Sequence, residues 1–467
     1  MKKNRLSSFL LALSLTLGLL APMGAAQAAE SRSAILDGME VEATAAILVD
    51  TTYGSLDVLY DQNSHERRYP ASITKVMTAL LTLEAVEAGK LSMDQVITVG
   101  DSLHQGIGEG GSTQDIKVGE LLTVRDLLYC ALLPSANEAC NVLGAAVAGS
   151  VDAFVERMNQ RAAELGMEDT HFTNTHGYHD DEHYTTAWDI YLMCSEAMSK
   201  PAFREIVSSK SYVVPATNLR EERTLHDTNA LVSTFRIRGY YYEYATGIKT
   251  GSTPEAGYCL ASAATKEGKN LIAVVLGAEN PKNADGSTNR LQFSESSRLL
   301  DWGFRNFSRR TIIDASAMDI AEVAVTLSQE ASYVTVQPSG SIEATLPNDL
   351  ELSQFKREVN CIDTVEAPVE KGQVLGTIKL TYNGADYGTL DLVAVNDVSR
   401  SELLYRLDRI QKFLDQTWVK LAALGLIVLI LVLIVRHLVV SRHRSRYGGG
   451  RRGGRGSHYA GSGRRRR

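Results

Sequence analysis

A long apolar run near the C-terminus limits how this chain can fold. The 15 residues from Leu421 to Val435 carry no charged side chain, and as a helix they span about 22 Å. Trp418 and residues 438–440 lengthen the apolar stretch toward the roughly 30 Å of a bilayer's hydrocarbon core. We therefore predict one transmembrane helix over residues 418–440, and a helix lying on the membrane surface is the alternative.

The charges beside this run indicate the topology. Residues 441–467 are rich in Gly and Arg, and the segment from Arg436 onward holds eleven Arg and no acidic residue. Positive charge beside a span stays in the cytoplasm, so we expect a disordered cytoplasmic tail in contact with anionic lipid. RNA binding is the alternative for such a tail. The net charge of −7 leaves residues 29–435 with −21, and such an acidic body argues against a nucleic-acid-binding protein.

The N-terminus has the three parts of a secretory signal peptide. Three basic side chains within the first five positions precede an apolar run from Phe9 to Leu20, and Ala26-Gln27-Ala28 follows. This order predicts that residues 1–28 are a signal peptide cleaved after Ala28. An uncleaved anchor is the alternative. Secretion places the acidic body outside the cell membrane, in agreement with the cytoplasmic tail.

The region between the predicted signal peptide and the predicted transmembrane helix has two different patterns of apolar residues. Residues 34–308 alternate amphipathic helices with apolar strands, and strands lie at both ends, as in Ala45–Val49 and Asn270–Gly277. This pattern predicts a mixed α/β domain in which helices cover an antiparallel sheet. Residues 309–396 instead alternate apolar and polar side chains around turns such as Asn383-Gly384, which predicts a small all-β domain.

Residues 399–417 have a different pattern again. Their apolar side chains recur at helical spacing, as at Leu403, Leu407 and Ile410. An amphipathic helix next to the membrane is therefore predicted.

The five cysteines do not indicate a covalent framework. Their number is odd and none has C-x-x-C spacing, so neither a disulfide scaffold nor a zinc ribbon is predicted. We expect buried thiols and at most one bridge.

Three short motifs carry the chemistry, and they occur in a fixed order. They are Ser72-Ile73-Thr74-Lys75, then Ser135-Ala136-Asn137, then Lys249-Thr250-Gly251. Residues at i and i+3 share a helix face, so Lys75 can reach the Ser72 hydroxyl. A Lys whose pKa is lowered can act as the base for such a Ser.

The specificity lies in the ordered set. Each motif alone is weak, since Ser353 to Lys356 repeats the first spacing with no partner motif after it. The ordered set S-x-x-K, S-x-N and K-T-G is typical of penicillin-binding proteins and class A β-lactamases.

The chain resembles the low-molecular-mass penicillin-binding proteins, serine D-Ala-D-Ala carboxypeptidases of the S11 type, over about residues 34–396. The resemblance implies a β-lactamase/transpeptidase-like domain followed by a small β-rich domain. The supporting stretches, besides the motifs, are Pro70–Met77, Leu133–Ala139, Thr173–Gly177, Thr246–Gly251 and Pro368–Gly372.

The resemblance implies catalytic roles for Ser72, Lys75 and Ser135. Ser72 would attack the peptide carbonyl between two D-alanines and form an acyl-enzyme, while Lys75 takes its proton. Ser135 would pass a proton to the leaving amine. Water then releases the acyl group, so no metal or organic cofactor is expected.

The resemblance also implies a substrate-binding set. Asn137 would hold the substrate amide and Lys75, while Lys249 and Thr250 bind the terminal carboxylate. Gly251 completes the third motif, and the backbone N–H of Ser252, with that of Ser72, would form the oxyanion hole. The expected partners are peptidoglycan stem peptides, with β-lactams as inhibitors.

Other functions stay open at this level. A DD-endopeptidase or transpeptidase uses the same acyl-enzyme with a different amine, and a non-catalytic envelope scaffold would carry a dead site. A β-lactamase is disfavoured because the middle motif is S-A-N instead of S-D-N, and we interpret Glu156, which offers E-x-x-N spacing, as structural. Four histidines with nearby acids, between His171 and His183, suggest a metal, but we interpret this segment as an exposed loop without one.

Overall fold

The structure is a computed structural model that describes residues 32–33, 38–52, 57–316 and 320–444. The predicted signal peptide and the tail beyond residue 444 lie outside these residues. The chain divides into two compact units. The first takes the residues up to 315 with 340–359 and 378–390, and the second takes 316–339, 360–377 and 391 onward.

Strands from both ends of the first 280 residues build the main sheet of the first unit. The ten described strands of this region, six of which belong to the main sheet, are β1 Arg32–Ser33, β2 Ala45–Asp50, β3 Asp57–Gln62, β4 Val96–Thr98, β5 Leu121–Thr123, β6 Ser211–Val214, β7 Arg223–His226, β8 Ala245–Thr253, β9 Gly257–Lys266 and β10 Lys269–Ala278. The sheet order is β1-β3-β2-β10-β9-β8, with β1 and β3 parallel and the other neighbours antiparallel. Two small hairpins pair β4 with β5 and β6 with β7.

Seven helices accompany this sheet in the described part of the first unit. They are α1 Lys75–Glu87, α2 Val124–Leu132, α3 Asn137–Ala148, α4 Val151–Glu164, α5 Ala187–Ser199, α6 Pro201–Val207 and α7 Leu291–Asn306. A 3₁₀ turn at Ala71–Thr74 leads directly into α1, which is buried along nearly its whole length.

Helices cover the sheet on both faces. Ile47 and Val49 of β2 belong to the core that contains α1, whereas Leu48 between them meets α7, where a Cβ added to Gly303 would lie 2.6 Å from a Leu48 methyl carbon. Burial on both faces explains why β2 and β10 are continuous apolar runs in the sequence and do not alternate.

The remaining strands form the β-rich part of the chain. They are β11 Phe307–Ile313, β12 Ala321–Thr326, β13 Tyr333–Pro338, β14 Ile342–Pro347, β15 Lys356–Cys361, β16 Thr364–Glu366, β17 Val374–Tyr382 and β18 Ala385–Ala394. In the first unit, β11 pairs with β14, and Thr345 donates a 2.8 Å hydrogen bond to Asp50 of the main sheet. In the second unit, β13 pairs with β12 and with the end of β18, and β12 pairs with β16.

Two helices complete the second unit, α8 Glu402–Leu414 and α9 Thr417–Arg444. Helix α8 exposes an apolar face, with Leu407 52% and Phe413 48% exposed. Residues Thr417–Val439 of α9 have a mean hydropathy of 2.9 and are the one described stretch long and apolar enough to cross a membrane as a continuous helix. The predicted fold class is confirmed.

Local differences from the sequence reading are small. The apolar stretch Leu121–Leu133 has helical spacing, but it begins as strand β5, because its first residues pair with β4. The capping box of Thr123 and Asp126 then starts α2. All five cysteines are free thiols.

Candidate active site

Ser72 and Lys75 meet at the start of α1. The Lys75 Nζ donates a 2.8 Å hydrogen bond to the Ser72 Oγ. It donates a second, of 2.7 Å, to the carbonyl oxygen of His176. The helical turn places the Ser and the Lys on one face, as the i, i+3 spacing predicts.

Lys75 is fully buried, and this sets its acid–base behaviour. Burial disfavours the charged ammonium and lowers the pKa of Lys75 to about 8, although Cys140 and Glu138 act in the opposite direction. At neutral pH a usable fraction of such a lysine is neutral. Lys75 is therefore able to take the Ser72 proton.

Ser135 lies in a strained turn between α2 and α3. Its φ of 72° falls in the left-handed region, which costs free energy for a residue with a side chain. Its hydroxyl is buried and has no hydrogen-bond partner among the described residues. Buried hydroxyls are normally paired, so this one is available to a substrate atom or a proton in transit.

Asn137 begins α3 and is 4% exposed. Its N–H donates to Ser112 O at 2.9 Å. A Cβ on Gly111 would lie 2.9 Å from Asn137 Nδ2, so a glycine leaves room for this amide. Among the hydrogen bonds of the described residues, none joins Asn137 to Lys75.

The third motif lies on β8, an edge strand of the main sheet. Lys249 is 1% exposed, and its Nζ donates to Thr250 O at 3.1 Å. Ser252 follows on the same strand and is exposed. A Cβ on Gly251 would lie 3.2 Å from the Ser72 nitrogen, so the third motif passes directly beside the first.

Thr228 links the second and third motifs. The hydroxyls of Thr228 and Thr250 lie 2.7 Å apart. Thr228 also donates to Leu133 O, from its N–H at 3.1 Å and its hydroxyl at 3.2 Å, and Leu133 precedes the Ser135 turn. The structure therefore brings all three motifs to one place.

Two lysines give the site its charge. Burial lowers the pKa of Lys249, and the charge of Lys75 lowers it further, whereas Asp227 acts in the opposite direction. Burial also raises the pKa of Asp227, which limits how far that carboxyl neutralises the lysines. An anionic group on a ligand would favour the protonated form of Lys249 and so bind beside it.

Sequence reasoning missed several residues that organise the site. The carboxylate of Glu138 is buried and accepts from Thr113 Oγ1 at 2.6 Å and from Gln114 N at 2.7 Å. His176 supplies the carbonyl that accepts from Lys75, and Thr228 connects two motifs. His176 and Glu138 lie within stretches that the resemblance had marked, but their contacts carry no signature in the sequence.

The segment from His171 to His183 is not the exposed loop that the sequence suggested. His176 and His183 are 0% and 2% exposed, and burial lowers the pKa of each to about 3. Both rings have hydrogen-bond partners within the protein.

Glu156 and the second S-x-x-K spacing, Ser353 to Lys356, lie elsewhere on the fold. Glu156 is an exposed residue of α4. Ser353 lies in a 3₁₀ turn, and Lys356 begins a separate element, strand β15. Neither position joins the site around Ser72.

Two family models match the chain. Residues 27–280 match the family model described as D-alanyl-D-alanine carboxypeptidase, peptidase S11. Residues 318–400 match the model of the penicillin-binding protein 5 C-terminal domain.

Two curated relatives cover most of the chain. D-alanyl-D-alanine carboxypeptidase DacC of Escherichia coli is 32% identical over 370 residues, which are 78% of this chain and 86% of that protein. D-alanyl-D-alanine carboxypeptidase DacF of Bacillus subtilis is 30% identical over 369 residues, 79% of this chain and 89% of that one. Among solved structures, penicillin-binding protein 5 of Haemophilus influenzae is similar with a TM-score of 0.58 and 27% identity, over 78% of this chain and 100% of that one.

Proposed function

Because the chain belongs to the D-alanyl-D-alanine carboxypeptidase family of peptidase S11, we propose that it removes the terminal D-Ala from peptidoglycan pentapeptide stems. The observation that carries the proposal is the hydrogen bond from the buried Lys75 amine to the Ser72 hydroxyl, beside the Lys249 motif. A nucleophile, its base and a cation for a carboxylate are the groups that this hydrolysis needs.

Acylation begins with Ser72. Neutral Lys75 takes the Ser72 proton while Oγ attacks the carbonyl carbon of the penultimate D-Ala, and the carbonyl oxygen becomes an oxyanion. The N–H groups of Ser72 and Ser252 donate to that oxyanion. The C–N bond then breaks, and the proton passes from Lys75 through Ser135 to the departing amine of the terminal D-Ala. The products are free D-Ala and an ester on Ser72, with Lys75 neutral again.

Deacylation repeats the chemistry with water. Lys75 takes a proton from a water molecule, which attacks the ester carbonyl carbon. The bond to Ser72 Oγ breaks, and Lys75 returns the proton to that oxygen. A β-lactam acylates Ser72 by opening of its ring amide, and its amine stays attached.

Substrate choice depends on the terminal carboxylate. Lys249 offers a buried cation, and Thr250 adds a hydroxyl that Thr228 orients. Asn137, at the start of α3, would accept and donate to the substrate amide. An endopeptidase or transpeptidase would share Ser72 and Lys75, but both curated relatives named above are carboxypeptidases.

The protein is proposed to work outside the cell membrane. Helix α9 is apolar enough to anchor it, and the Arg-rich tail that follows favours a cytoplasmic C-terminus. The catalytic unit would then face the peptidoglycan.

The test is release of D-Ala from a synthetic pentapeptide stem by the full-length protein in detergent. The wild type should release one D-Ala per peptide, and Ser72→Ala should lose activity by at least about a thousandfold. Ser353→Ala, which removes the other Ser of an S-x-x-K spacing, should match the wild type. Equal activity of wild type and Ser72→Ala would refute the proposal.

A further inference from the structure

His183 connects the loop after α4 to the nucleophile turn through hydrogen bonds. Thr173 N–H lies 3.0 Å from His183 Nδ1. His183 Nε2 lies 2.8 Å from Thr74 Oγ1, and Thr74 Oγ1 lies 2.8 Å from Ala71 O. His183 and Thr74 are both buried, with exposures of 2% and 0%.

The donor and the acceptor of every hydrogen bond in this chain of hydrogen bonds follow from the backbone groups at its two ends. A backbone N–H can only donate, so His183 Nδ1 accepts from Thr173 and the ring proton lies on Nε2. A carbonyl can only accept, so Thr74 gives its hydroxyl proton to Ala71. Thr74 Oγ1 must then accept the His183 Nε2–H, and the chain runs one way from Thr173 to Ala71.

The carbonyl at the end of the chain belongs to the peptide unit that contains the Ser72 N–H. A peptide unit is planar, so its C=O and N–H point in opposite directions. Whatever holds the Ala71 carbonyl therefore aims the Ser72 N–H. That N–H lies close to β8, since a Cβ on Gly251 would be 3.2 Å from the Ser72 nitrogen.

The backbone at Ala71 is strained and needs support. Its φ of 47° is in the left-handed region, where a non-glycine residue costs of order 1–3 kcal/mol. Gly177 closes in on the other side, because a Cβ there would lie 1.8 Å from Ala71 O. The Thr74 hydroxyl and the Gly177 backbone thus confine the same carbonyl.

We propose that His183 is a positioning residue, which acts through Thr74 to orient the Ala71–Ser72 peptide so that the Ser72 N–H meets the oxyanion. This inference rests on the proposed function, since it assigns a task in the acylation of Ser72. His183 itself touches neither the substrate nor the reacting atoms.

The chemistry of the ring suits this task. Burial lowers the pKa of His183 to about 3, so the ring stays neutral throughout the range in which the enzyme works. A neutral ring with a fixed tautomer both accepts from Thr173 and donates to Thr74. A protonated ring would lose its acceptor.

The test compares acylation rate constants of full-length variants with a reporter penicillin. His183→Phe and Thr74→Val each interrupt the series of hydrogen bonds from Thr173 to Ala71. The first removes its middle member and the second removes its last donor. We expect the acylation rate constant to fall about 10- to 100-fold in each, because a misplaced oxyanion donor costs up to about 10²–10³. The dissociation constant of the complex before acylation should change less than threefold, because this chain does not contact the bound ligand.

Three controls separate positioning from general damage. His65→Phe makes the same exchange at an exposed histidine outside these hydrogen bonds and should acylate like the wild type. His183→Gln keeps an N–H donor toward Thr74 and should recover at least part of the rate. The double variant His183→Phe/Thr74→Val should be no slower than the slower single, because both cut one chain.

Rates are counted per molecule that finally carries the label, so unfolded protein does not lower them. Acylation within twofold of wild type in both His183→Phe and Thr74→Val would overturn the inference, as would losses that multiply in the double variant. If His183→Phe does not fold, Thr74→Val decides the matter alone. A wild type that never acylates refutes the proposed function instead, and the two failures are therefore distinguishable.

Discussion

Burial of the Lys75 side chain costs folding stability but favours the chemistry of the site. A fully buried lysine is costly to keep charged, and here its amine has only the Ser72 hydroxyl and the His176 carbonyl as hydrogen-bond partners among the described residues. The same burial brings the pKa to about 8, where a base is most useful near neutral pH. The cost of burial is therefore tied to the proposed catalytic role.

The pH dependence of the reaction should follow the protonation state of Lys75. Lys75 must be neutral to accept the Ser72 proton, and burial brings its pKa from the usual 10.5 of a lysine to about 8. At saturating substrate, whose carboxylate favours the protonated form of Lys249, kcat should rise about tenfold per pH unit up to about pH 8 and then level off. A pH profile measured from pH 5 to 10 checks this. An acid limb centred near pH 4 to 5 would point to a carboxylate base and contradict the assignment.

At this scale the sequence predicted the three motifs, because short spacings on one helix or strand survive into the fold. The sequence did not predict the proposed positioning role of His183, which was interpreted as part of an exposed loop. The burial of a polar ring depends on partners far away in the sequence, here Thr74, 109 positions distant. A local sequence pattern does not indicate which distant residue pairs with the ring.

Helices α8 and α9 are the elements that would attach the protein to the membrane. Helix α8 has one exposed apolar face, and α9 is apolar from Leu421 to Val435, between Lys420 and Arg436. A spanning helix resists extraction, whereas a surface helix is held only by the apolar area that it buries.

We predict that the full-length chain stays in the membrane fraction after washing with high salt and with alkaline carbonate. A chain ending at Gln416 keeps α8 and should appear mainly in the soluble fraction. A tag after Arg467 should be reached by protease only when the cells are opened. Carbonate extraction of the full-length chain would favour the surface helix, and a tag cut on intact cells would reverse the proposed orientation.

Elements with strong periodicity were easier to predict than their ends. The apolar runs of β2 and β10 and the helical pattern after Ser72 lie where the sequence placed them. Short elements such as β4, β6 and β7 were missed, because three or four residues that pair across distant segments show little pattern of their own.

At the scale of the whole molecule, the sheet order is the property that the sequence alone did not give. The pairing of β2 with β10 joins residues more than 200 positions apart, and local periodicity contains no information about it. The residue pattern predicted the mixed α/β class and the resemblance implied the transpeptidase-like fold, which the structure and the family matches confirm. The site follows from that order, because the edge strand β8 carries the third motif past the start of α1.

The central claim is that Ser72 forms the acyl-enzyme, and the most direct measurement is the mass of the full-length protein after incubation with benzylpenicillin. We predict a single adduct equal to the mass of the intact penicillin, located by peptide mapping on Ser72 and absent from Ser72→Ala. An unmodified wild type that is folded, or an adduct that persists in Ser72→Ala, would contradict it.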